Sequence, residues 1–219
     1  MKLYDILLQF PLFYGIAKDD LDNIVSHTKF DFSRVKEGHN IVADGEKCDS
    51  LIMVTHGSIE AKTSAFDNGY CVYETMESPL MIQPHRLFGL RQRFSSTYFA
   101  KTECNLIALP KTEVIMLLEH FELFRINYIN SLALMAQKGN TLPWRHHGDT
   151  VREKINEFFK QHVTRPAGKK EFHILMLRLA KELNLSRLEV SQALNQMKNE
   201  GLLELRRGKI IIPHMERFT

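Results

Sequence analysis

The sequence contains little cysteine, and this scarcity excludes several kinds of site. Its 219 residues include only Cys48, Cys71 and Cys104, which are far apart and form no CxxC pair. This number and spacing fit neither a disulfide framework nor a finger-type zinc site. An iron–sulfur cluster would need four thiolates. We therefore expect three ordinary reduced thiols.

Long hydrophobic runs are also absent, and no segment approaches the roughly 18 apolar residues of a membrane helix. The apolar start of the chain is interrupted by Asp5 and Pro11 and lacks a small-residue cleavage site, so we expect no secretory signal and a cytoplasmic protein. Glycine and proline are few, while 44% of residues are hydrophobic and 25% are charged. These values predict a globular chain, long enough for two domains.

The net charge of +3 is unevenly distributed along the chain. Residues 1–144 contain 14 Lys and Arg against 17 Asp and Glu, whereas residues 145–219 contain 15 against 9. The first part therefore has a charge of −3 and the last part +6. A polyanion such as nucleic acid is the expected partner of the basic part, and a solvated basic face is the alternative.

Three kinds of pattern follow one another before residue 145. Residues 3–27 are predicted to form short helices, and residues 30–109 alternate β-rich runs with turn signals about 8 to 12 residues apart, as in an antiparallel β-roll. After Pro110 a helical period continues to about Lys138. Its two apolar stripes are Val114, Leu118, Phe121, Tyr128, Leu132 and Met135, and Ile126, Ile129, Ala133 and Ala136.

A helix that is apolar on two sides can cover the β-roll with one side and meet a second copy of itself with the other, so we expect a homodimer. The alternative is a helix covered on both sides within one chain. Gly139, Asn140 and Pro143 are expected to break or kink this helix, and Gly148 is the best candidate for an interdomain hinge.

The C-terminal third is predicted to contain a helix over 149–162, a loop over 164–170, two further helices and a hairpin. The two helices have the requirements of a helix-turn-helix: small Ala180 at the crossing, Asn184 in the turn, and Ser186 with Glu189 as a capping box. Apolar positions that fix the crossing angle are Leu179, Leu183, Leu185, Val190 and Ala193. Gly201 ends the second helix, and two short strands around Arg207 and Gly208 form a basic wing.

The second helix is expected to enter a major groove, with its N-terminal residues nearest the base edges. Arg187 suits guanine and Gln192 suits adenine, while Ser186 and Ser191 can bond phosphate or base. Basic side chains predicted to contact the phosphate backbone are Lys169, Lys170, Lys198, Arg206, Arg207 and Lys209.

This order of elements resembles the Crp/Fnr family of bacterial transcription regulators over nearly the whole chain. Further similarity lies in VKEGHNIVADGEKCDSLIMVTHGSIE, residues 35–60, and in AKTECNLIALPKTEV, residues 100–114. The resemblance implies an α+β fold with a sensor β-roll over 1–110, a helical dimerisation segment and hinge over 111–144, and a winged helix-turn-helix over 145–219. It also implies a homodimer on a near-palindromic operator of double-stranded DNA, in contact with RNA polymerase.

The resemblance also shows where the sequence departs from members that bind cyclic nucleotides. These have a Gly-Glu pair for the ribose and an Arg-Ser or Arg-Thr pair for the cyclic phosphate; Gln83-Pro84 and Phe94-Ser95 occupy those places. The polar pair that contacts the base corresponds to Lys138-Gly139. Without the charged partners we expect no cyclic AMP binding.

An unrelated effector is still possible at the same place. Arg86, Arg91 and Arg93, with Ser95, are candidates for holding a different anion, and the alternative is an uncharged effector or none. His85 is the best candidate for a haem ligand, but an ordinary histidine fits it better; His146 and His147 fit a solvated loop better than a pH-sensitive hinge.

An enzyme and a protein-interaction module are the competing functional hypotheses. A cupin-like metal enzyme with an accessory winged helix would need a histidine cluster, and His39, His56 and His85 lack the HxH spacing. A P-loop, an HExxH motif and a nucleophile motif are absent too. Arg187, Gln192 and the basic wing favour DNA over a protein partner. We expect no enzyme and no bound cofactor.

Overall fold

The computed structural model of the chain describes residues 3–141 and 148–218. Three residues named above, Pro143, His146 and His147, lie outside the described residues, as does the side chain of Lys138. The described residues form two compact units, one of 3–59 and 77–141 and the other of 60–76 and 148–218.

The first unit begins with the predicted short helices. They are α1 (Leu3–Leu7), a 3-10 turn (Pro11–Phe13) and α2 (Lys18–His27). Asp19 and Asp20 lie in the first turn of α2, where carboxylates interact favourably with the helix dipole, and Leu21 and Ile24 are buried.

Eight short strands follow along the chain, and they confirm the predicted antiparallel β-roll, although most of β4 and β5 belongs to the second unit. They are β1 (Asp31–Val35), β2 (Asn40–Val42), β3 (Ser50–His56), β4 (Ser58–Ser64), β5 (Cys71–Glu77), β6 (Leu80–Ile82), β7 (Thr97–Ala100) and β8 (Cys104–Pro110). One sheet has the order β1-β8-β3-β6, and β2 pairs with β7. Gly57 connects β3 to β4 at φ 98°, where an added Cβ would lie 2.5 Å from the Glu103 carbonyl oxygen.

The helical region after Pro110 consists of two helices, and the prediction of one long helix was wrong. α3 (Lys111–His120) ends where Phe121 takes an extended conformation, and α4 (Glu122–Thr141) begins immediately after it. The interruption shifts the helical phase, so that Phe124 is fully buried although neither predicted stripe included it. α4 then continues past Gly139 and Asn140, which were expected to break or kink it, so neither residue ends the helix.

α4 packs through one side onto the N-terminal helices. The Phe13 and Phe124 rings lie 5.4 Å apart, and the Asn127 amide donates hydrogen bonds to the Leu12 and Tyr14 carbonyls at 3.2 and 2.8 Å. The second predicted stripe, Ile126, Ile129, Ala133 and Ala136, is exposed within the single chain.

The second unit contains α5 (Val151–Gln161), β9 (Lys170–His173), α6 (Met176–Leu183), α7 (Arg187–Asn199), β10 (Glu204–Arg206), β11 (Lys209–Ile212) and a 3-10 turn (Met215–Phe218). These bounds agree with the predicted helices and wing, but β9 was not predicted. Its core includes Ile155, Phe159, Phe172, Leu194 and Ile212.

Residues 60–76, the β4–β5 hairpin, belong to this second unit although they lie in the β-roll part of the sequence. The strand order is β10-β11-β9-β5-β4. β5 pairs antiparallel with β9, placing Val72 opposite Phe172 and Glu74 opposite Lys170. All four of these side chains are buried.

Lys170 was predicted to contact the DNA backbone, and that prediction was wrong. Its side chain is fully buried, with Nζ 3.0 Å from Glu74 Oε1. A cation inside the core of the unit cannot reach a phosphate, and Glu74 supplies the compensating charge.

In the described part of the chain, no helix has the length and apolar character needed to cross a membrane.

Candidate nucleic-acid interface

The turn between α6 and α7 has the predicted left-handed residue. Asn184 adopts φ 51° and ψ 48°, a conformation that asparagine tolerates better than most residues. Its backbone N–H donates back to the end of α6, and Leu185 N–H donates to the Ala180 carbonyl at 2.9 Å. The turn therefore fixes the direction in which α7 leaves α6.

Apolar packing fixes the angle between these helices. Leu179, Ala180 and Val190 are buried between them, as predicted, with Leu194 and Met197 further along α7. The remaining predicted positions are partly buried against the same core: Leu183, Leu185 and Ala193.

α7 begins with the predicted capping box. The Ser186 hydroxyl oxygen accepts from Glu189 N–H at 3.2 Å, and Ser186 N–H donates to Glu189 Oε2 at 2.8 Å. The hydrogen bonds from the Ser186 side chain and backbone hold the pKa of Glu189 below its usual range.

The solvent-facing side of α7 contains the predicted base-contact residues. Arg187 and Gln192 are exposed, whereas Ser191 is half-buried. The Asn195 amide donates to the Ser191 carbonyl at 2.8 Å and lies 3.4 Å from its hydroxyl. Ser191 is therefore partly engaged within the helix.

Two residues on this surface were missed by the sequence analysis. Leu188 is 66% exposed, and Asn195 is exposed one turn beyond Gln192. Counting the 3.6-residue period from Val190 and Leu194 would have found both, because each lies opposite the buried side of the helix.

The wing presents the other predicted basic residues to solvent. Gly208 makes the turn between β10 and β11 at φ 71°, and Arg206, Arg207 and Lys209 are exposed around it. The Arg206 guanidinium donates to Glu204 Oε2 at 3.1 Å.

Two further predicted lysines lie outside the wing loop and are exposed. Lys198 lies in the last turn of α7. Lys169 forms an ion pair with Glu171 at 2.7 Å, and this hydrogen bond is the main cause of the lowered pKa of Glu171. Lys209 of the wing also contributes, through its charge, to the lowered pKa of Glu171.

The candidate effector residues lie in the first unit and only some of them are connected. The backbone of Gln83 is in the left-handed region, at φ 38°. Its side-chain nitrogen donates to Ser95 Oγ at 3.1 Å, and its side-chain oxygen accepts from Ser95 N–H at 2.9 Å. Arg86 N–H donates to the Gln83 carbonyl at 2.9 Å. Gln83 and Ser95, which lie where the resemblance expects the ribose and phosphate contacts, are thus hydrogen-bonded to each other, and Arg86 is bonded to Gln83 through its backbone.

The other two arginines of this segment are exposed. Arg93 is exposed and donates to the Gly45 carbonyl at 2.7 Å, and Arg91 is exposed. Phe94 is buried at the place of the family's phosphate-binding arginine. In the described chain, the half-buried Arg86 has an Nε without a hydrogen-bond partner.

Tyr128 and Cys48 lie near this segment and stay protonated at neutral pH. The Tyr128 hydroxyl donates to the Pro84 carbonyl at 2.8 Å, and burial raises its pKa. The pKa of the Cys48 thiol is raised to about 11, mainly by burial and next by the negative charge of Asp49. Cys48, Cys71 and Cys104 are all free thiols. Over residues 3–141 and 148–218, no three His, Cys, Asp or Glu side chains form a metal-binding group.

Comparisons with known proteins agree with this geometry. Residues 152–219 match the model of the Crp-like helix-turn-helix domain. A solved structure of the catabolite activator protein of Thermus thermophilus is similar at 20% identity and a TM-score of 0.54, over 95% of this chain and 96% of that one.

A second solved structure, described as a transcriptional regulator of the Crp/Fnr family from Eubacterium rectale, is similar at 19% identity and a TM-score of 0.50, over 96% of both chains. No curated protein matches the sequence. At these identities the structures establish the fold, while the domain model identifies the C-terminal unit. Residues 152–219 are therefore similar to the Crp-like helix-turn-helix domain, and the chain has a fold similar to that of these two solved structures.

Proposed function

We propose that the protein is a sequence-specific DNA-binding transcription regulator. The observation that carries the proposal is the pair of exposed side chains Arg187 and Gln192 on the first turns of a capped helix. An arginine fork matches the N7 and O6 acceptors of guanine, and a glutamine amide matches N7 and N6 of adenine. These contacts are available only in the major groove, where a helix of this kind docks.

Phosphate contacts hold the helix in position. The exposed cations of the wing, Arg206, Arg207 and Lys209, and Lys198 on α7 are assigned to the backbone, together with the hydroxyl groups of Ser186 and Ser191. Each phosphate contact adds affinity without sequence preference. The +6 charge of residues 145–219 supports this assignment.

The protein acts as a homodimer through α4. Its exposed apolar stripe, Ile126, Ile129, Ala133 and Ala136, would be covered by the same stripe of a second copy. Two-fold symmetry requires a near-palindromic operator, with the recognition helices about 34 Å apart. A transcription regulator of this kind would be located in the cytoplasm and would contact RNA polymerase.

The functions of the domains are assigned from the resemblance. Residues 1–110 form the sensor, 111–144 the dimerisation segment and hinge, and 145–219 the DNA-binding domain. The sensor does not bind cyclic AMP, because Pro84 takes the place of the glutamate that would contact the ribose, and buried Phe94 takes the place of the arginine that would contact the phosphate. Arg86, Arg91, Arg93 and Ser95 are assigned to a different anion.

The test is selection of binding sites from a random duplex pool, followed by titration of the selected operator at fixed salt. Arg187→Ala is expected to weaken binding by about 1 to 3 kcal/mol and to relax the preference at one base pair. Lys209→Ala is expected to weaken all sequences alike and to reduce the slope of log affinity against log salt by about 1. An unchanged base preference in the Arg187→Ala protein would contradict the assignment of α7.

A further inference from the structure

Leu188 occupies a position on α7 where an apolar side chain has no packing role. The buried side of the helix is marked by Val190, Leu194 and Met197. At 100° per residue, Leu188 lies about 160° around the helix from Val190, on the opposite side. Its 66% exposure agrees with this placement.

The neighbours of Leu188 on the outer face are polar. Gln192 lies one turn further along, and Asn195 two turns further. Leu188 is thus the apolar residue of a polar face, in the first turn of the helix, where side chains approach base edges most closely. An exposed leucine is ordinary elsewhere on a protein surface. In the first turn of α7, however, it determines which kind of group on a base edge this turn can contact.

Among the base edges in the major groove, thymine carries an apolar group, the C5 methyl. A leucine offers no hydrogen bond to the guanine, adenine or cytosine edges and would leave their polar groups without a partner. Contact with the thymine methyl instead removes apolar surface of both groups from water. We propose that Leu188 is a specificity-determining residue that recognises a thymine C5 methyl, beside the adenine contacted by Gln192.

This inference rests on the proposed function, since it requires α7 to lie in a major groove. The probe is the selected operator, in which each thymine is replaced in turn by deoxyuridine, which removes only the methyl group. At one thymine of each half-site, the replacement is expected to lower the affinity of the wild-type protein about fourfold, which corresponds to roughly 0.8 kcal/mol per buried methyl.

Leu188→Ala is expected to lower the affinity for the selected operator. The affinity of this variant is also expected to be the same whether thymine or deoxyuridine occupies that position. Leu177→Ala is the matched control, because Leu177 is a similarly exposed leucine, at 69%, on α6. That variant is expected to keep the full fourfold deoxyuridine effect. Both substitutions remove exposed side chains, and an unchanged melting temperature checks that the unit still folds.

The outcomes separate this inference from the proposed function. A wild-type protein that selects no preferred sequence overturns the proposed function itself. A wild-type protein that selects an operator, but tolerates deoxyuridine at every thymine, overturns the role of Leu188 alone. The same conclusion follows if Leu188→Ala keeps the wild-type deoxyuridine effect.

Discussion

Glu74 of β5 and Lys170 of β9 form an ion pair in the core of the second unit. Lys170 Nζ lies 3.0 Å from Glu74 Oε1, with the two side chains 0% and 1% exposed. The carboxylate also accepts from the backbone N–H groups of Thr164 and Arg165 at 2.8 to 3.1 Å. The ammonium has no hydrogen bond of good geometry to any described residue, so the charge of Glu74 is its compensation.

Glu74→Leu is expected to destabilise the protein by about 3 to 5 kcal/mol, because it leaves a buried ammonium without its counter-charge. Lys170→Met is expected to cost less, because the carboxylate keeps its two backbone donors. Denaturant unfolding measures both free energies.

Lys29→Met is the control for this comparison, because its ion pair with Asp31 is exposed, and we expect a change below about 1 kcal/mol. Equal losses of unfolding free energy in Glu74→Leu and Lys170→Met would contradict the expectation that removing the carboxylate costs more than removing the ammonium. A loss near zero for both would show that this pair is not buried in solution.

The pairing of β5 with β9 also places Cys71 opposite His173. Cys71 is a free, partly exposed thiol, so His173→Cys supplies a second thiol directly across the strands. Directly opposed residues on antiparallel strands have the Cβ spacing that a disulfide can bridge. Mild oxidation is therefore expected to link residues 71 and 173.

Peptide mapping by mass spectrometry detects this link. Glu171→Cys is the matched control, because Glu171 lies opposite Tyr73 and not Cys71, and it is expected to remain unlinked. Cys48 and Cys104 are buried and do not compete. Failure of His173→Cys to link would mean that the β4–β5 hairpin is not held on β9.

The helix-turn-helix could be predicted from the sequence because its determinants are local. Asn184, Ala180 and the pair Ser186 and Glu189 are within ten residues of one another, and each has a residue type that its position demands. The wing was predicted for the same reason, since Gly208 marks the turn between two short apolar runs.

The features that were missed depend on distant residues or on an irregular turn. β9 pairs with β11 on one side and, on the other, with β5, which lies about a hundred residues earlier, and a buried lysine gives no apolar signal. The break at Phe121 involves neither glycine nor proline, so a continuous helical period fitted the sequence although the chain changes phase there.

The capping boxes of α5 and α7 provide a matched pair for separating stability from DNA contact. Thr150→Ala and Ser186→Ala each remove a side chain that accepts from the third helical residue, so both are expected to cost about 1 kcal/mol of stability. Ser186→Ala is also expected to weaken operator binding, because Ser186 is assigned to DNA. Thermal unfolding and titration measure the two effects. Equal operator affinities of the two variants would remove Ser186 from the interface.

The exposed apolar stripe of α4 predicts how a charged substitution there changes the oligomeric state. Ile129→Lys introduces a cation into the proposed dimer interface, at a side chain that is 55% exposed in the single chain, and is expected to shift the protein from dimer to monomer. Phe32→Lys is the control, since Phe32 is 64% exposed on β1 and is expected to leave the dimer intact. Sedimentation measures the state. A wild-type monomer, or an Ile129→Lys dimer, would contradict the assignment.

The segment around Gln83 predicts which small molecules stabilise the protein. Arg86 has a buried Nε without a hydrogen-bond partner in the described chain, and its backbone N–H donates to Gln83, which also bonds Ser95, so Arg86 is the expected main contact of an anion. Arg93 already donates to the Gly45 carbonyl and is expected to contribute less. A bound anion at 100 times its Kd adds about 2.7 kcal/mol of stability, which raises the melting temperature by several degrees.

The measurement is a thermal-shift screen with phosphate esters and carboxylates, in the wild type and in Arg86→Ala, Arg91→Ala and Arg93→Ala. Arg86→Ala is expected to abolish the shift of any anion that binds, and Arg93→Ala to reduce it. Cyclic AMP is expected to give no shift, because buried Phe94 offers its phosphate no counter-charge. Shifts that survive all three substitutions would exclude this segment as the anion site, and a shift with cyclic AMP would contradict the role given to Pro84 and Phe94.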